Sequence, residues 1–199
     1  LADSPEAPTE ELSGAIGQGD GFLRFLERAG VGGQDRTAVA KIVGRYMDLA
    51  EIEPGTRIDL VLGARGNRNS ARPLESVSFR ARLDLALKLT RGADGLVVEA
   101  QTIAVDSTPL RITGTIDHGI YNSARAAGAP IEAIEAYLEI LDSQGKLDGA
   151  GPGDEFDMIV AMERAETGET RIGSLLYAGL KRGGKHKMQM LQWKGRWFE

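Results

Sequence analysis

Cysteine is absent from the chain, and its two histidines, His118 and His186, lie 68 positions apart. Disulfides, thiolate metal sites and cysteine nucleophiles are therefore excluded. A zinc site with two imidazole ligands would have to use both histidines. Asp117, His118 and Ser123 are the residue types of a hydrolytic triad, but no G-x-S-x-G elbow presents a serine. Ser143-Gln144-Gly145-Lys146 has the S-x-x-K spacing of serine acyltransferases. That chemistry needs the serine at a helix N-terminus with the lysine one turn on. Here the stretch follows a helical pattern, Gly145 breaks the turn, and no S-D-N follows. The glycine groups GVGG, GAGPG and RGGK lack the order of a phosphate loop. Gly183-Gly184-Lys185 is followed by His186, which leaves no Ser or Thr for magnesium. The expectation is a chain with no catalytic, cofactor-binding or metal-binding residue.

The 199 residues allow one large domain or two small ones. A formal charge of −5 argues against a general nucleic-acid binder. The charge is uneven. Residues 181–199 hold six basic residues and one acidic, with Trp193, Trp197 and Phe198 among them. This could touch a polyanion, but the alternation reads more simply as a solvated strand face. Residues 1–14 carry Asp3, Glu6, Glu10 and Glu11 with no basic residue and read as a flexible acidic tail. No apolar run reaches membrane-spanning length. The chain starts at Leu1 rather than Met, so the expectation is that a targeting segment preceded it and that any membrane attachment runs through that removed segment.

The elements follow from periodicity. Phe22, Phe25, Leu26 and Ala29 have helical spacing, and Gly30 stops them; Val39, Ile42, Val43, Tyr46 and Met47 form a second stripe. Pro54-Gly55 is a turn, and Ile58, Leu60 and Leu62 alternate as a strand. Residues 63–73 read as a polar loop. From Val77 to Leu89 every odd-numbered residue is apolar, while Ser78, Arg80, Arg82, Asp84, Lys88 and Thr90 face the other way with only Ala86 neutral among them, which predicts a long bent strand or two in series. Leu96–Val105 and residues 110–116 continue as strands. Gly128 stops a helix from Ile120, and Pro130 opens the next helix in its first turn. Residues 156–163, 172–180 and 187–198 read as strands, with Gly183-Gly184 as a hairpin turn.

One pattern occurs twice. EPGTRIDLV from Glu53 and GPGDEFDMI from Gly151 are offset by 98 positions. The same offset pairs Ala29-Gly30 with Ala127-Gly128, Ile42 with Ile140, Leu49 with Leu147 and Asp59 with Asp157. The fold class expected is α+β, with two small helix-helix-turn-strand units joined and followed by antiparallel β structure.

The runs FLRFLERAGVG…AVAKIVGRYMDLAEIEPGTRIDLVLG, LRITGTIDHGIYNSARAAGAPIEAIEAYLEIL…GPGDEFDMIV and IGSLLYAGLKRGGKHKMQMLQWKGRWFE, in this order, resemble the non-catalytic front of bacterial cell-wall peptidases of the M23 (LytM or lysostaphin) type. The resemblance spans about residues 15–199 and is distributed over weak motifs. It implies a LysM-like domain at 15–73 and a second α+β domain at 74–199, preceding a peptidase module. The family's zinc ligands sit in H-x-x-x-D and H-x-H elements. Here Asn122 stands four residues after His118, Met190 four after His186, and no H-x-H occurs. The resemblance thus implies zinc in a parent peptidase module and none in this chain. It further implies a periplasmic or inner-membrane-anchored location and a role in regulation, including autoinhibition, or in wall targeting. The partners would be peptidoglycan, or this protein's own or another M23 peptidase module. Two alternatives stand beside it. A stand-alone peptidoglycan-binding module would hold N-acetyl sugars near Asp20, Gly21, Pro54, Gly55 and Thr56. A regulator in trans would use the loop 63–73 to reach into a hydrolase groove.

Overall fold

Each occurrence of the helix-glycine-helix-turn pattern builds the same arrangement. In the computed structural model, which describes residues 7–67 and 70–199, the first runs β1 (Glu10–Ala15), α1 (Phe22–Arg28), α2 (Gly33–Val43), a short 3-10 turn (Leu49–Glu51), β2 (Arg57–Leu62), β3 (Leu74–Arg82), β4 (Leu85–Gly92) and β5 (Gly95–Thr102). The second runs β6 (Val105–Asp106), β7 (Leu110–Thr115), α3 (Ile120–Ala126), α4 (Ile131–Ser143), β8 (Glu155–Ala165), β9 (Thr170–Arg182), β10 (Lys185–Trp193) and β11 (Arg196–Phe198). The first sheet has the order β1-β2-β3-β4-β5. The second has β11-β10-β9-β8, with β6 and β7 both paired to β8. All neighbours in both sheets are antiparallel. The fold is α+β.

The 98-residue offset holds for the starts of both helices and of the strand after them: Phe22 and Ile120, Gly33 and Ile131, Arg57 and Glu155. The first strand is offset by 100. Ile16 donates to Thr56 O (3.1 Å) and accepts from Gly55 (2.7 Å); Ile116 donates to Asp154 O (2.7 Å) and accepts from Gly153 (2.9 Å). The difference of two lies in the connections, residues 17–21 in one unit and 117–119 in the other. Both first helices end alike. Gly30 (φ +87°) donates to Glu27 O and Val31 to Leu26 O, while Gly128 (φ +87°) donates to Arg125 O and Ala129 to Ala124 O. These are Schellman closures, in which a left-handed residue after the helix satisfies its last carbonyls.

The compact units are Leu1–Ala104 and Val105–Glu199, each with its own core. The first buries Phe22, Leu26, Val39 and Val43 against Ile58, Leu60, Val77, Leu87 and Leu89, with the Phe22 and Phe79 rings 4.7 Å apart. The second buries Ile134, Tyr137 and Leu141 against Phe156, Met158, Val160 and Ala178. At about 1.5–3 kcal/mol per buried large aliphatic or aromatic side chain, these two clusters are the main favourable contribution to each unit.

Five expectations change. The boundary expected at 73/74 falls at 104/105, because β3 pairs with β2 (Ile58 opposite Phe79, Leu60 opposite Val77) and the meander 74–102 completes the first core. Within the expected acidic tail 1–14, residues 10–14 belong to β1, which pairs with β2 from Glu10 opposite Leu62 onward; Leu12 packs on the core while the acids face solvent. Asp3 and Glu6 lie outside the described residues. The alternating run 77–89 is a hairpin turning at Leu83-Asp84, and 187–198 is two strands turning at Lys194-Gly195. Pro130 is the N-cap of α4, just outside its first turn. Gly183-Gly184 forms the expected turn between β9 and β10, both residues with positive φ.

Candidate functional site

The helices cover one face of each sheet, so alternate strand residues point away from the core. On the first sheet, register aligns two rows across the strands on this open face. One is Ser13, Asp59, Ser78, Lys88, Glu99; the other is Ala15, Arg57, Arg80, Ala86, Gln101. Small residues, Ser78 and Ala86, stand diagonally between the long side chains of Arg80 and Lys88. A recess of about 480 Å³ results, bounded by Arg57 and Asp59 on one side and Glu99 and Gln101 on the other.

One wall of this recess is fixed. Asp59 Oδ1 accepts from Ser13 Oγ (2.5 Å) and Arg57 Nε (3.2 Å). The Ser13 hydroxyl first, and the Arg57 guanidinium with it, hold the Asp59 carboxyl below the usual range. Arg80 donates to the carbonyls of Arg82 (3.0 Å) and Leu83 (2.7 Å), which ties its guanidinium to the hairpin end.

The second sheet carries a recess of about 340 Å³ on β7, β8 and β9, lined by Arg111, Thr113, Glu155, Asp157 and Lys181. Asp157 takes a two-pronged contact from Arg111 (2.9 and 2.6 Å). Beneath it, Tyr137 donates to Gly179 O (2.8 Å), and burial raises the phenol's pKa well above its usual value.

Of the residues expected to hold sugars, Gly55 and Thr56 bond to the backbone of Ile16, four residues before Asp20. These two bonds place the turn at Pro54 beside Ile16, where the connection 17–21 begins. Asp20 is engaged within the fold, paired to Arg28 and, at 3.8 Å, to Arg24; Gly21 is the N-cap of α1. In the loop 63–73, Arg72 is buried and donates to Gly63 O (2.9 Å) and Ala7 O (3.2 Å), anchoring the loop's end to the fold; Arg68 and Asn69 lie outside the described residues.

The rejected motifs are structural. Ser123 Oγ accepts from the Asp117 backbone N–H (3.0 Å), closing the entry to α3. Ser143 Oγ donates to Ile140 O (2.8 Å) at the end of α4. The open-face recesses are absent from the sequence reading. Their signal was the polar half of the 77–89 alternation; neither a bent strand nor two strands in series places Ser78 opposite Lys88, which only the hairpin pairing does.

No protein-family model matches the sequence, and no curated protein matches it. Solved structures do. A zinc-containing peptidase from Vibrio cholerae superposes with a TM-score of 0.60 at 16% identity, over 94% of this chain and 56% of that one. Csd3 from Helicobacter pylori, in its hexagonal crystal, gives 0.57 at 10% identity, over 95% of this chain and 50% of that one. The fold is shared with a zinc-containing peptidase. The chain spans about half the length of these proteins.

The described residues do not fit zinc. Among the described residues, no group of three or more His, Cys, Asp or Glu side chains is placed to hold a metal ion. The His118 ring is 88% exposed and meets Asp117 at 3.3 Å, and His186 stands on β10 opposite Lys181. No described helix is long and apolar enough to cross a membrane.

Proposed function

We propose that this chain is a non-catalytic regulatory or wall-targeting region of an M23-type zinc endopeptidase that acts on peptidoglycan in the periplasm. The observation that carries the reading is the fold match. Nearly the whole chain corresponds to about half of a zinc-containing peptidase, while its described residues place no group of three or more His, Cys, Asp or Glu side chains to hold a metal ion. The ordered resemblance of residues 15–199 to the front of that family, its LysM-like segment included, points the same way. Zinc and catalysis then belong to a peptidase module, and this chain positions that module or restrains it.

The test is a pair of assays with the purified chain. With zinc and insoluble peptidoglycan it releases no soluble fragments. Either it is retained on the sacculus, or it lowers the rate of a separately produced M23 peptidase module. Zinc-dependent release of fragments, or the absence of both effects, overturns the reading.

A further inference from the structure

We propose that the recess on the open face of the first sheet binds a short peptide carrying both a carboxylate and an ammonium group, the carboxylate against Lys88 and the ammonium against Glu99. The source we assign is the peptide stem of peptidoglycan, so the inference rests on the wall-directed reading above and gives it a site.

Lys88 and Glu99 are directly opposite on β4 and β5, where opposite charges normally pair. Both are exposed, and among the described residues neither side chain makes a hydrogen bond or an ion pair. Beside them the other charges are in use: Arg57 and Ser13 hold Asp59, and backbone carbonyls hold Arg80. Among the described residues the recess therefore presents the Lys88 ammonium and the Glu99 carboxylate without side-chain partners, against a wall whose geometry is set and over a floor made low by Ser78 and Ala86. Its volume of about 480 Å³ falls within the ~300–1,000 Å³ usual for ligand sites. A zwitterionic peptide meets both charges; a neutral sugar chain meets neither.

The second sheet supplies the contrast. There the register position of Lys88 is taken by Gln189, whose amide donates to Tyr177 Oη (3.1 Å). The charge pair is a property of the first unit and not of the shared fold.

The edge of the sheet extends the site. Ile103 N donates to Asp84 O (2.9 Å), so odd-numbered residues of this segment bond inward to β4 and the even ones, Leu96, Val98, Ala100 and Thr102, turn their backbone groups outward. No strand pairs with β5 on that side among the described residues. A peptide whose ammonium sits on Glu99 can run along this edge as an added strand.

The experiment is a titration of the full, isotope-labelled chain with a free stem tripeptide, followed by NMR. The expected result is saturable shifts at Ser78, Ala86, Lys88, Glu99 and Gln101, and at least tenfold weaker binding for Lys88→Glu, for Glu99→Lys, and for peptide blocked at its amine or its carboxyl. These substitutions sit on exposed side chains, and unchanged amide dispersion elsewhere verifies the fold. Absent shifts at millimolar peptide, or binding indifferent to both variants, overturn the proposal. Retention on insoluble peptidoglycan, measured in parallel, separates the two readings. Retention without peptide shifts rejects this site alone. Shifts without retention uphold the site and count against wall targeting.

Discussion

Asp154 is a carboxylate taken out of water, 3% exposed, and met by Arg182 at 2.8 and 2.7 Å and by the Gly151 N–H at 3.2 Å. Arg182 is the main reason its pKa lies below the ordinary aspartate value. A depressed folded-state pKa contributes stability that is present above the unfolded value of about 3.9 and lost as pH falls through the folded one. Urea melts of the second unit should therefore weaken between about pH 5 and pH 3, and Asp154→Asn should weaken less over that interval. The same variant should lose about 1.5–3 kcal/mol near neutrality, the scale of a charged hydrogen bond. Tyr137→Phe leaves the Gly179 carbonyl without its donor inside the core. A loss of about 1–3 kcal/mol is expected by the same measurement. Gly114 admits no side chain, since a Cβ there would stand 2.5 Å from the Phe156 ring. Gly114→Ala should cost about 1–3 kcal/mol or shift the ring, readable in a calorimetric scan.

At the scale of elements, what was legible were the parts set by local chemistry. Helical stripes, the stops at Gly30 and Gly128, the Pro-Gly turns and the Gly183-Gly184 hairpin all announce themselves, because each demands a residue type at a fixed place. Replacing Gly30 or Gly128 by alanine puts a Cβ into the left-handed region and should cost about 1–2 kcal/mol in a chemical melt. The turn at Leu83-Asp84 was illegible for a physical reason. A plain two-residue hairpin shifts the buried face from odd to even numbers. Here β3 bulges between Arg80 and Arg82, so Val77 still opposes Leu89 and Phe79 opposes Leu87. The extra residue restores parity, and the apolar alternation runs through the turn unbroken. Lys194-Gly195 was missed because lysine at positive φ (47°) lies outside the Asn-Gly and Asp-Gly signals of such turns. The recess was illegible because its residues come from four strands, and only pairing makes them neighbours.

For the whole molecule, two sheets and two cores that share no strand predict independent folding. Residues 7–104 and 105–199, produced separately, should each give dispersed amide spectra. A piece that stays unstructured would show that its core needs the other unit. Two units built to one plan also create a hazard during folding, since each first strand is close in length and pattern to the other's. The salt links discriminate between them. With the 100-residue offset, Glu11 holds the place in β1 that Arg111 holds in β7. A β1 strand laid on β8 would bring Glu11 toward Asp157, acid against acid, and forfeit the Arg111 clasp. On β8, then, the Arg111–Asp157 pair favours β7 over β1 as the neighbouring strand.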